Sequence, residues 1–197
     1  PLHDTFCVKH INVCTYQAVS GSGKDGVEEL LQQSSAYIDQ RSIDKKVYPK
    51  QIAFNSIPFV DCFLENNYTR EEMKMVWETH KILDENISVN PTAVRVPVLV
   101  GHAESIYIET EKEIDIELAK NCLNEFAGIS VIDDVQEVDF PTSFEHGHGT
   151  DDVYVGRIRK GLSKNNSLNL WVVADNVRKG AALNSIQIAE NLVGSEM

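Results

Sequence analysis

Apolar and polar positions alternate along this chain with two different periods. From His10 to Tyr16 (HINVCTY), apolar Ile11 and Val13 alternate with polar neighbours in β-favouring sequence, which marks a strand. The run breaks at Ser20-Gly21-Ser22-Gly23, and beyond it Val27, Leu30, Leu31, Ser34 and Ile38 recur at helical spacing. Thr69 with Glu72 three residues on forms a capping box, so a second helix starts there, with Met73, Val76, Trp77, His80 and Leu83 as its buried stripe. Pro91 is read as the close of that unit. Val94 to Val100 and Glu104 to Thr110 read as strands, and Ala119, Cys122, Leu123 and Phe126 mark a third helix ended by Gly128. Further strands follow at Ile129 to Asp133, Val153 to Lys160 and Leu168 to Ala174. The last helix runs from about Val177 to Val193, with Ala182, Ile186, Ala189 and Val193 on one face and Asp175 or Asn176 placed to cap it.

Strands alternating with three packed helices, two of the strands adjacent in sequence, predict an α+β fold: a mixed β-sheet with helices packed on one face. Pro141 to Asp152 is the one long polar loop, and there are no repeats or low-complexity tracts. The 197 residues, 42% of them hydrophobic, suit one domain. Against 18 Lys and Arg stand 30 Asp and Glu, a net charge of −12 that repels phosphate backbones and anionic lipid, so neither nucleic acid nor membrane is an expected partner. Runs such as Val96 to Val100 are far shorter than the roughly 20 apolar residues that cross a bilayer, and no basic-then-apolar leader opens the chain. A soluble, cytoplasmic protein is expected. Cys7, Cys14, Cys62 and Cys122 show no CxxC spacing and no adjacent His or basic cluster, which predicts reduced thiols and no activated nucleophile among them.

Four segments could carry chemistry. Ser20-Gly21-Ser22-Gly23-Lys24 lies between a strand and a helix N-terminus, where glycine lets a phosphate or an amide ring come close; it is equally an ordinary turn. It is no Walker loop, which would need Gly at Ala18 and Ser or Thr at Asp25. Glu71 and Lys74 share a polar helix face with Glu78 and Lys81, as a binding pair or as solvated ion pairs. Arg95 offers a planar fork for a carboxylate, and His102 is suited to moving a proton near neutral pH. Seven residues apart, they would face opposite sides of one unbroken strand, so a shared site requires a bend near Gly101. His146 and His148, with Asp151 and Asp152, are too loosely spaced in a glycine-rich loop to read as a metal centre, and no metal is expected.

Taken together, Thr15-Tyr16-Gln17-Ala18-Val19-Ser20-Gly21, TREEMKMVWETHKI from Thr69, VRVPVLVGHAES from Val94 and NLWVVADNVRKGAA from Asn169 resemble successive signatures of the aspartate-semialdehyde dehydrogenase family, bacterial branch, over about Lys9 to Val193. The resemblance implies a glyceraldehyde-3-phosphate-dehydrogenase-like C-terminal domain. It also implies NADPH-dependent reduction of β-aspartyl phosphate to aspartate β-semialdehyde and phosphate, through a thioester on a cysteine. That step serves synthesis of lysine by way of diaminopimelate, and of threonine, methionine and isoleucine. Under it His102 resembles the proton-shuttling histidine, Arg95 the arginine for the substrate carboxylate, and Gln17 the substrate-orienting glutamine. Glu71 and Lys74 resemble the helix pair at the substrate and phosphate position, where an ammonium suits the phosphate as a point charge. Ser20 and Gly21 resemble the turn against the nicotinamide end of NADP, and Asn176 a cofactor contact.

The family's glycine-rich NADP unit and its PNC-type cysteine motif both precede the TYQ strand and are not in these 197 residues. The chain is therefore expected to be the C-terminal half: a substrate-binding and dimerisation domain at 1–175, and at 176–197 a helix that would pack on the NADP domain. Alone it should be inactive, for want of the thiolate. Its last helix should be displaced or exchanged, and its sheet should form a homodimer. Two other readings are a non-catalytic dimerisation module derived from the enzyme, and a related reductase such as the N-acetylglutamyl phosphate enzyme, which the VRVPV and GHAE blocks fit poorly.

Overall fold

Alternation along β1 (Val8–Gln17) sets the two faces of the molecule. In the computed structural model, which describes residues 1–194, Val13, Thr15 and Gln17 are buried on one face of this strand while Asn12, Cys14 and Tyr16 stand half-buried on the other. Around it the chain forms α1 (Leu2–Phe6), α2 (Gly23–Ile38), α3 (Arg70–Ile82), β2 (Ser88–Arg95), β3 (His102–Thr110), α4 (Ile116–Asn124), β4 (Ile129–Val131), β5 (Val153–Lys160), β6 (Ser167–Ala174) and α5 (Leu183–Gly194). The strands make one mixed sheet in the order β2-β1-β3-β6-β5-β4, with β1–β2 and β4–β5 parallel and the rest antiparallel. This is the expected α+β sheet.

One core lies under α1 and α4, where Phe6, Ile114, Ala119 and Leu123 meet Ile108, Leu168, Leu170 and Val155 of the sheet. A second, beyond the end of β1, gathers Val19, Leu30, Tyr48, Ile52, Ala53 and Ile57 around α2.

Several expected elements shift, each for a physical reason. Pro91 does not close a unit: it is buried within β2. β2 is an edge strand, and the N–H groups of Ala93 and Arg95 point away from β1, to Glu72 Oε1 at 3.0 Å and Ile57 O at 2.8 Å; Pro91 shares their alternation, so its missing N–H takes nothing from the ladder. The run from Val94 to Val100 is not one strand. β2 ends at Arg95, Leu99 is 41% exposed, and the chain turns at Gly101, whose φ of 92° lies in the left-handed region that favours glycine. On α3, Trp77 and Leu83 are exposed and Glu72 is buried, because the Glu72 carboxylate accepts from both Thr69 N and Ala93 N. Phe126 lies beyond the end of α4 and is exposed.

On α2, Leu31 and Ile38 are exposed while Glu29 and Gln33 are buried. Gln33 Oε1 accepts from Ile52 N at 2.8 Å and Ala53 N at 3.2 Å, and its Nε2 donates to Glu29 Oε1 and Asp44 O. Polar side chains face inward here because the loop of residues 44–53 has backbone groups to satisfy. After β6, Asp175 and not Asn176 caps the closing segment, its Oδ1 accepting from Val177 N and Arg178 N. A π-helical turn (Arg178–Ala182) leads into α5, none of whose described side chains is buried.

Gln33→Leu should cost about 2–4 kcal/mol of stability, since two buried N–H groups lose their acceptor. Urea denaturation measures it, with Gln32→Leu on the exposed face as the neutral comparison.

Candidate active site

Three strand ends bring the expected residues together. In register, Gln17 at the end of β1 pairs with Arg95 at the end of β2, and His102 opens β3, the strand on the other side of β1. The turn at Gly101 separates β2 from β3, so the odd spacing of Arg95 and His102 no longer forces them apart. Both side chains then close on one residue. Ala18 N donates to His102 Nδ1 at 3.1 Å, and Arg95 Nη1 donates to Ala18 O at 2.7 Å.

Gly21 lies against this pair. A Cβ built there would stand 2.9 Å from Arg95 Nη1 and 3.5 Å from His102 Nε2, so a side chain would fill the space in front of both groups. Gly21 itself is exposed, so the site opens to solvent over it. Arg95 is buried, and among the described residues no carboxylate lies within salt-bridge distance of it. A buried guanidinium without a counter-ion is costly, and the cost falls when an anion arrives.

Beside it, Gln17 Nε2 donates to Glu71 Oε1 at 3.1 Å, and Lys74 Nζ reaches Glu71 Oε2 at 3.1 Å. Burial works against the Glu71 carboxylate, but its bonds to Lys74 and Gln17 outweigh that and hold it below the usual carboxylate range. The same contact raises Lys74. Burial, reinforced by the Arg95 charge, lowers His102 to about 4. It is neutral at pH 7, and because Nδ1 accepts from Ala18, the ring proton sits on Nε2, the nitrogen beside Gly21.

The glycine turn is more ordered than its sequence implies. Val19–Ser22 is a 3₁₀ turn, and the N–H groups of Val19, Ser20 and Gly21 are spent on Val98 O, Leu99 O and Ala18 O. It does not offer a nest of free amides. Asn176 is engaged in bracing: it exchanges hydrogen bonds with the Ser20 hydroxyl and accepts from Gly101 N at 2.9 Å. The His146 ring meets Tyr154 at a tilt, centroids 5.3 Å apart, and its Nδ1 accepts from Thr142 N, which leaves it in a structural contact. The sequence singled out Ala18 only as a mismatch to a Walker loop; its role is carried by main-chain atoms, which leave no residue signature.

None of the four thiols hydrogen-bonds His102, Arg95 or Gln17. Cys14 faces the opposite side of the sheet, Cys122 lies on α4, Cys7 joins α1 to β1, and Cys62 is exposed in the loop before α3.

A family model described as semialdehyde dehydrogenase, dimerisation domain, matches residues 1–179. An aspartate-semialdehyde dehydrogenase of Shewanella violacea is 55% identical over 194 residues, covering 98% of this chain and 57% of that protein. The one from Legionella pneumophila is 50% identical over 193 residues, 98% of this chain and 56% of the relative. The crystal structure of aspartate semialdehyde dehydrogenase II from Vibrio cholerae, complexed with ASA, superposes with a TM-score of 0.96 at 48% identity, covering 100% of this chain and 58% of that one. The chain thus spans a little over half the length of the relatives it matches.

The neutral His102 makes stability depend on pH. Between pH 6.5 and about 4 the unfolded chain binds a proton at this residue that the folded chain refuses, so the contribution is full above pH 6.5 and is lost as pH falls towards 4. The expected loss is up to about 3 kcal/mol, and His102→Asn should flatten it. Urea unfolding at several pH values compares the two chains, and equal slopes would remove His102 as the source.

Proposed function

The chain belongs to the semialdehyde dehydrogenase family, in its dimerisation domain, and from that premise we propose that it is the substrate-binding and dimerisation part of an aspartate-semialdehyde dehydrogenase. The enzyme as a whole would reduce β-aspartyl phosphate with NADPH to aspartate β-semialdehyde and phosphate. The observation that carries this reading is the buried, counter-ion-free Arg95 facing the same opening as a neutral His102 and the Gln17–Glu71–Lys74 chain.

Each group has a role that follows from its surroundings. Arg95 takes the substrate carboxylate as the anion its buried charge lacks, and the planar fork fixes the substrate's direction. Lys74, tied to Glu71 but half open to water, offers an ammonium to the leaving phosphate. Gln17 spends Nε2 on Glu71 and keeps its carbonyl oxygen for the substrate. The reacting thiolate would come from a part of the enzyme outside these 197 residues, since none of the four thiols here contacts the site residues. His102 offers its Nε2–H as a hydrogen bond to the oxygen that becomes negative when the thiolate adds to the acyl carbon. Its low basicity keeps the ring neutral, so the adjacent Arg95 meets no second cation.

The cofactor has a fitting approach. Gly21 lays bare backbone so close to Arg95 and His102 that a Cβ would not fit, and its exposed outer side is where a flat ring could lie against the turn, while Ser20 and Asn176 hold that turn to Gly101. When bound, NADPH supplies the hydride. The exposed α5 is proposed to pack on the NADP-binding domain, and 197 residues without that domain and the thiol would turn nothing over. A non-catalytic module is the second reading, and it is the positions of the four thiols that favour it.

The homodimer would form through the open face of the sheet, where Cys14, Tyr16, Ser105, Tyr107 and Trp171 stand half-buried and Tyr16 lies 5.4 Å from Trp171, ring to ring.

Arg95→Ala should weaken binding of aspartate β-semialdehyde by tenfold or more, about 1.5–3 kcal/mol, as read by NMR titration, and Arg95→Lys should recover only part of it. Equal affinities in wild type and Arg95→Ala would refute the assignment. Ser105→Arg should shift the chain from dimer to monomer in sedimentation equilibrium without changing its circular dichroism.

A further inference from the structure

The glycine-histidine loop contributes no side chain to the site, yet it touches the segment on which His102 depends. Gly101 immediately precedes His102, and its environment is closed on the side of the loop: a Cβ at Gly101 would meet Gly147 O and Ser143 O at 2.6 Å each. From the loop's side, a Cβ at Gly147 would stand 2.8 Å from Val173 Cγ1, 2.9 Å from Ser143 O and 3.1 Å from Gly101 Cα. Val173 is the register partner of Ala103, the residue after His102, and both are buried. The loop therefore covers Gly101, the residue before His102, and the cross-strand partner of Ala103, the residue after it.

The loop is itself firmly held. His146 N and Gly147 N both donate to Thr142 O, His146 Nδ1 accepts from Thr142 N, and the His146 ring packs on Tyr154. At its far end Gly149, with a φ of 76°, donates its N–H to Asp175 Oδ2 at 2.7 Å. Asp175 is buried, and its other oxygen caps the closing segment. The next residue, Asn176, accepts the Gly101 N–H. The corner before His102 is thus clamped between a hydrogen bond from one side and a backbone contact from the other, and both clamps hang on the Asp175–Asn176 pair.

We propose that the loop of residues 142–149 is a brace that positions His102 through Gly101, with Gly147 and Asp175 as positioning residues. A side chain at Gly147 pushes the loop off Gly101, and the strand start moves with it. Ala18 N–H then loses its aim at Nδ1, and with it the tautomer that presents Nε2–H to the site. The proposal rests on the reading of His102 as a site residue, but it concerns the ring's setting and can be measured on the ring itself.

The test is a pH titration of the His102 ring by ¹H–¹⁵N NMR in the whole chain, for wild type, Gly147→Ala and Asp175→Asn. Besides the loop, the charged groups acting on this ring are Arg95, Glu71 and Asp175, and Gly147→Ala changes none of them. In Gly147→Ala the ring should titrate at least about one unit higher than wild type as water reaches it, and its Nδ1 signal should lose the hydrogen-bonded tautomer. Asp175→Asn, which keeps the size but weakens the acceptor, is read by the Nδ1 tautomer signal, which should be lost as in Gly147→Ala, because removing the Asp175 charge by itself lowers the ring's titration; Phe144→Ala, whose side chain is exposed, should change neither. In the complete enzyme the first two variants should lower kcat about tenfold with KM unchanged. A folded Gly147→Ala chain with an unchanged His102 titration and tautomer, or a folded Asp175→Asn chain with an unchanged tautomer, would overturn the brace, and should one of them not fold, the other decides. If His102→Asn and Arg95→Ala leave turnover intact, the functional reading falls instead, and the ring titration still judges the brace.

Discussion

Ala18 carries the site. Its N–H is given to His102 and its C=O to Arg95, and it is fully buried at the point where β1 ends and the 3₁₀ turn begins. Those two bonds fix which histidine nitrogen bears the proton and leave the rest of the guanidinium for an incoming anion. Every other part of the arrangement meets this residue from a different direction: β2 delivers Arg95, β3 delivers His102, and the turn after Ala18 lays Gly21 over both. Main-chain atoms suit the task because they cannot change rotamer, so the geometry is as rigid as the sheet.

The charges follow the same economy. A buried cation with no partner would normally be eliminated or paired, and Glu71, the carboxylate whose charge acts on Arg95, is already engaged by Gln17 and Lys74. The molecule so keeps a buried positive group, with no counter-ion among the described residues, in a protein of net charge −12, at an opening where an acidic small molecule can reach it. The neutrality of His102 belongs to this balance, since a second cation beside Arg95 would raise the cost of both.

The two faces of the sheet divide the remaining work. One is packed under helices and carries the site at its edge; the other presents Tyr16, Trp171 and Tyr107 half-buried and flat. The loop of residues 142–149 links the two, folding over the Val173 end of the open face while its backbone presses on the corner that starts β3. The open face and the site at the edge of the packed face are in that sense coupled through glycine.

The α+β class, the positions of most elements and the chemistry-bearing residues were legible because they rest on local signals: period-two alternation in β1, the Thr69–Glu72 box, and motif blocks around Gln17, Arg95 and His102. Local signals failed where a distant backbone group set the outcome. Gln33 is buried because Ile52 and Ala53 need an acceptor, Pro91 survives inside a strand because β2 is an edge, and Trp77 lies outside because Glu72 turns inward. The convergence of Arg95 and His102 lay between these cases: the odd spacing stated the condition, a bend at Gly101, and only the packed loop behind that glycine met it. Side-chain type and spacing are written along the chain, whereas hydrogen bonds between main-chain groups far apart in sequence exist only once the sheet has brought them together.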